Sequence, residues 1–60
     1  MFESYPDVLE VKDLCSALRI GRNKAYELLN TEIKSIRIGT VHKIPKIYLI
    51  EYIEKSSNPN

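Results

Sequence analysis

Val11, Leu14, Cys15 and Leu18 recur at the spacing of one helix face, while Lys12, Asp13 and Ser16 point away from it. This predicts a first helix of about two turns over 11–18. "RIG" at 19–21 breaks the pattern, and Ile20 is the residue a tight turn would tuck into the core. A second helical pattern runs from Arg22 to Leu29 or Asn30. Ala25, Leu28 and Leu29 fall on one side and Asn23, Glu27 and Asn30 on the other. Gly21 takes the N-cap position, where glycine is tolerated. Two short helices separated by a three-residue turn containing glycine predict a helix-turn-helix.

The period then changes from 3.6 to 2. Ile36 and Ile38 alternate with Ser35, Arg37 and Gly39, which predicts a half-buried strand with the isoleucines inward. "GT" turns the chain and "VHKI" returns, with Val41 or Ile44 facing in. A lone two-stranded hairpin is unstable and must pack on the helices, so it is expected to form a wing. "DVL", ahead of the first helix, can supply a short extended piece that pairs with a later strand. Pro45 suits the first turn of a last helix because it has no N–H to lose there. In that helix Leu49, Ile50 and Ile53 share a face with Tyr52 at its margin, and Ile47 falls on the polar side beside Glu51 and Glu54.

The expected fold is therefore α+β and mostly α: a winged helix-turn-helix with a two-stranded wing between the second and third of three short helices. The 60 residues make one domain, with its core over about 8–54 and a frayed tail at 55–60. A chain this short buries only about 60% of its unfolded surface, so one compact core must supply the stability. One cysteine excludes an internal disulfide, and one cysteine with one histidine cannot assemble a structural zinc site. Cys15 reads as a core residue. "MFESYPDVLE" lacks the basic and apolar regions of a leader, and no apolar run approaches the ~20 residues of a membrane span. A cytoplasmic, nucleoid-associated protein with no membrane partner is expected.

The net charge of +1 hides an uneven distribution. Residues 1–18 carry Lys12 against Glu3, Asp7, Glu10 and Asp13, a net −3. Residues 19–46 carry Arg19, Arg22, Lys24, Lys34, Arg37, Lys43 and Lys46 against Glu27 and Glu32, a net +5. A basic middle flanked by mildly acidic ends suggests one charged working face. A helix-turn-helix lays its second helix in the major groove, N-terminal residues nearest the bases and phosphates. "GRNK" supplies suitable groups there. Arg22 and Lys24 can pair with phosphates, Arg22 alternatively with a guanine. Asn23 suits adenine, the Tyr26 hydroxyl a phosphate, and Glu27 a cytosine amino group. Each has a plainer alternative: solvated cations, a capping Asn23, a Tyr26 that covers the core edge, a bystander Glu27. On the hairpin Arg37, Thr40, His42 and Lys43 are candidates for backbone or minor-groove contact, His42 equally an exposed bystander. No carboxylate pair, metal cluster or Ser/His/Asp set is present, so neither an enzyme nor a cofactor is expected.

"VLEVKDLCSALRIGRNKAYELL", "IKSIRIGTVHKIPK" and "LIEYI" together resemble the small excisionase-family DNA-binding domain, a winged helix-turn-helix of MerR-like topology from phages and mobile elements. The resemblance covers residues 8–54, and "RIGRNK" is similar to the "RIGxNK" stretch of conjugative-transposon excisionases. It implies recognition of double-stranded DNA by Arg22–Leu29 and by a wing around 37–43. It also implies adjacent copies on DNA, bending, and a tyrosine integrase directed towards excision; other relatives act as transcriptional regulators. Three departures stand out. "NTEIK" replaces the family's "SGEIK", so a tighter connection is expected. "GTVHKIPK" lacks the basic, aromatic wing tip, leaving Arg37 and Lys43 as the wing's phosphate contacts. The last helix opens with Ile47 and Tyr48, a candidate contact for another copy or an integrase. A protein–protein adaptor using that last helix is the alternative to DNA binding.

Overall fold

A computed structural model describes residues 2–57. The elements run β1 (Val8–Leu9), α1 (Val11–Leu18), α2 (Arg22–Thr31), β2 (Ile36–Ile38), β3 (Val41–Pro45) and α3 (Lys46–Ser57). The result is a small α+β fold of three helices and a three-stranded antiparallel sheet in the order β1-β3-β2. None of these helices is long and apolar enough to cross a membrane.

Both short helices are closed by local chemistry. At the start of α1, the Glu10 N–H donates to Asp13 Oδ2 at 2.9 Å, which satisfies a group next to the helix end. At its end Arg19 enters the left-handed region with φ 57°, and the Ile20 N–H reaches back to the Cys15 carbonyl at 3.0 Å. That six-to-one bond, with Ile20 packed on the core, is a Schellman closure made without glycine. The chain then needs only Ile20 and Gly21 before α2 begins. α2 ends on the same six-to-one bond without a left-handed residue: the Ile33 N–H bonds the Leu28 carbonyl at 2.8 Å, Glu32 has φ −120°, and Ile33 is buried.

Leu9, Leu14, Ala25, Ile44 and Leu49 are fully buried, with Val11, Leu28 and Ile33 beside them. Every regular element except β2 contributes, and the fully buried Ala25 is small enough to keep α2 close. Cys15, Leu29, Tyr52 and Ile53 pack against this cluster while partly exposed. Phe2 and Tyr5 also cover it, edge to face with ring centroids 5.7 Å apart. The Lys46 ammonium anchors that N-terminal segment by donating to the Phe2 and Tyr5 carbonyls, each at 3.2 Å.

The structure meets one expectation and corrects three. The "DVL" segment does pair, Val8–Leu9 with Pro45–Ile44, which adds a third strand to the two-stranded wing and ties the hairpin to the core along β3. Pro45 closes β3 and leaves the opening of α3 to Lys46. α3 continues to Ser57, so Lys55, Ser56 and Ser57 are helical, and the rest of the expected tail, residues 58–60, lies outside the described residues.

The largest correction concerns the hairpin. Ile36, Ile38 and Val41 are exposed, and Ile44 alone of its apolar residues is buried. Gly39, with φ +63°, makes the two-residue turn that sets Ile38 opposite Val41, Arg37 opposite His42 and Ile36 opposite Lys43. Paired residues share a face, so Leu9 and Ile44, both buried, make the inner face that of Arg37 and His42. Ile36, Ile38, Val41, Lys43, Val8 and Pro45 fall on the outer face.

Candidate nucleic-acid interface

α2 opens on Gly21 in an extended conformation, which leaves the first-turn N–H groups of the helix facing outward. Arg22, Asn23 and Lys24 are all exposed around that end. Lys24 lies 3.6 Å from Glu27 one turn on. Arg22 has no ion-pair partner among the described residues. It borders an open groove of about 300 Å³ shared by three elements. α2 contributes Arg22 and Tyr26, the hairpin Thr40, Val41 and His42, and the start of α1 Glu10, Val11 and Lys12.

Tyr26 and His42 join the two sides. Their rings lie 5.8 Å apart at a 59° tilt. The His42 Nδ1 is 3.2 Å from Ser35 Oγ, a contact that fixes the ring on the hairpin's inner face. Tyr26 remains 40% exposed, so it covers the hairpin base and still presents its edge to solvent. An anionic strand crossing the groove would meet Arg22 and Lys12 as cations and the Tyr26 and Thr40 hydroxyls as hydrogen-bonding groups.

The groove gathers Arg22, Tyr26, Thr40 and His42. Asn23, Lys24 and Glu27 lie on the exposed part of α2, outside the residues that line it. Arg37 is exposed on the inner face opposite His42. Lys43 is on the outer face, where its Nζ lies 3.4 Å from Glu10 Oε2. Ile47 and Tyr48 go to different flanks of α3. Ile47 borders Asp7, Pro45 and Ile50, and Tyr48 borders Glu32, Lys34 and Tyr52, so the two do not form one patch.

Lys12, Glu10 and Ser35 are groove or support residues that sequence reasoning passed over. Lys12 had only its place off the apolar stripe of α1 as a signal. Its approach to Arg22 depends on how α1 and α2 cross. The basic middle is also less free than its net charge suggests, since Lys46 lies 3.8 Å from Asp7, Lys43 holds Glu10 and Lys24 holds Glu27. Exposed pairs of this kind contribute only about 0–1 kcal/mol, so Lys24 and Lys43 can exchange a carboxylate for a phosphate at little cost.

A protein named "Excisionase" from Streptomyces ambofaciens is 30% identical over 50 residues, which is 82% of this chain and 81% of the relative. No family model matches the chain, and no solved structure matches it.

Proposed function

This chain belongs to the excisionase family, and from that premise we propose that it is a sequence-specific double-stranded DNA-binding protein of a phage or mobile element. On this reading it is a recombination directionality factor, with no catalytic role of its own. The helix-turn-helix is α1, the turn at 19–21 and α2; the β2–β3 hairpin is the wing of a MerR-like arrangement. α2 enters the major groove with Arg22, Asn23 and Lys24 foremost, and the wing meets the neighbouring backbone or minor groove through Arg37, Thr40 and His42. Lys43 joins them only by leaving Glu10. A tyrosine integrase and further copies of the chain are the protein partners that fit this role.

The observation that carries the reading is the groove itself. It gives Arg22, at the N-terminus of α2, and the hairpin tip a common open surface with Lys12. A helix N-terminus with adjoining cations favours a phosphate. One small module covers only about 600–1,000 Å² of DNA, so specificity on this reading needs adjacent copies.

The test is a titration against a library of random duplexes at low and moderate salt, with Arg22→Ala/Lys24→Ala in parallel. The wild type is expected to select a motif, with log affinity falling against log salt at about −0.9 per phosphate contacted. The double variant is expected to lose about 1–3 kcal/mol and up to two units of that slope. Failure of the wild type to bind at low salt sinks the DNA reading. Sites beside integrase arm sites support the excision role, and sites over a promoter point to a regulator.

A further inference from the structure

An antiparallel sheet with one face on the core ordinarily turns polar residues to water. This sheet does the reverse. On its outer face Val8, Ile36, Ile38 and Val41 are 49%, 54%, 62% and 45% exposed. By register Ile38 lies opposite Val41, Ile36 opposite Lys43, and Val8 opposite Pro45 on the far side of Lys43. Four apolar side chains on one exposed face form a contiguous patch of the kind that marks a contact surface. Lys43 is the charged residue that the strands place within it, and the Glu10 carboxylate lies 3.4 Å from its ammonium.

We propose that this face docks a second copy of the chain, outer face to outer face, about a two-fold axis. The charges select that occupant. A cation beside an anion in an apolar field is its own complement: a two-fold rotation lays Lys43 of each copy against Glu10 of the other. A partner of one charge sign would set a like charge against either Glu10 or Lys43 in a desolvated field. The net charge of +1 adds little long-range repulsion between copies. The alternative, edge-to-edge pairing of β2 with β2, is opposed by Arg37. An antiparallel two-fold pairing centred there sets Arg37 against Arg37.

The inner face, with His42 and Arg37, stays open in such a dimer, and Glu10 and Val41 stand at the margin that the dimer face shares with the α2 groove. If the DNA reading above holds, the dimer carries two α2 helices related by the two-fold and suits inverted half-sites. The self-association does not depend on that reading and is tested without DNA.

Sedimentation equilibrium from about 10 μM to about 1 mM spans the affinities expected of a small interface. The wild-type mass is expected to rise from 7.0 kDa towards twice that value. Ile38→Glu, at an exposed position that folding tolerates, is expected to stay monomeric throughout, with circular dichroism confirming its fold. Lys43→Glu and Glu10→Lys should each weaken association at least tenfold, and an equimolar mixture of the two should restore it as a heterodimer. A wild type that remains at 7.0 kDa overturns the proposal and leaves the face to a different partner. So does an Ile38→Glu variant that associates like wild type, or a mixture no better than its components.

Discussion

α1 and the β2–β3 hairpin carry the same kind of signal, apolar residues at the period of their own secondary structure, yet they use it in opposite directions. The α1 stripe is turned inward, with Leu14 fully buried and Val11 nearly so. The hairpin stripe is turned outward: Ile36, Ile38 and Val41 face solvent while Arg37 and His42 take the inner side. A helix such as α1 has one apolar side and an otherwise polar circumference, so its chemistry decides which side is buried. A strand offers two faces. Alternation says which residues travel together and leaves open which set goes in. Here Ile44 decides, because it alone pairs with the buried Leu9 of β1, and the turn at Gly39 transmits that choice along β3 and across to β2.

The widest gap between the two regions is in the energy of a truncated side chain. Leu14→Ala is expected to cost about 2–5 kcal/mol in equilibrium urea unfolding. A 60-residue chain has roughly 3–9 kcal/mol to lose, so this variant should melt far below wild type. Ile38→Ala, measured at low micromolar concentration where copies stay apart, should change stability by at most about 0.5 kcal/mol. Equal costs at the two positions would break the comparison and put the hairpin stripe in the core. A smaller effect sharpens the helical side. Ala25→Leu adds volume to a fully buried position and should destabilise by about 1–3 kcal/mol in the same assay.

What was legible in the chain follows the same division. The limits of α1, the turn at 19–21, the N-cap at Gly21 and the inward set of α2 were all readable, because each depends on residues within one or two turns of one another. The burial of Ile33 was not, since a single apolar residue after a helix has no period. Nor was the clamp of Lys46 on the Phe2 and Tyr5 carbonyls, a contact between opposite ends of the chain. The candidate site divides likewise. Arg22, Asn23 and Lys24 were nominated from helix position, and of these three Arg22 borders the groove, whereas Lys12 and Glu10 enter it through tertiary packing. Lys43 was read as a wing contact from its place in the hairpin, and the register sets it on the outer face with Ile38.

Two residues in the left-handed region carry the comparison to its smallest scale, one in each half of the molecule. Gly39, at φ +63°, turns the hairpin, and Arg19, at φ 57°, closes α1. A Cβ on Gly39 would meet nothing within 4 Å, so Gly39→Ala isolates backbone strain from steric clash. Its expected cost is about 1–2 kcal/mol, the penalty of an L-residue in that region. Arg19 already bears that penalty, and its side chain has no ion-pair partner among the described residues. Arg19→Gly should therefore move stability the other way. The relief of strain is partly offset by the greater freedom of glycine in the unfolded chain, leaving a gain of about 0.5–1 kcal/mol. In a domain of this size that is a rise of a few degrees in Tm, readable by a thermal melt followed at 222 nm. A fall would mean that the Arg19 side chain stabilises the end of α1 by more than its backbone strains it.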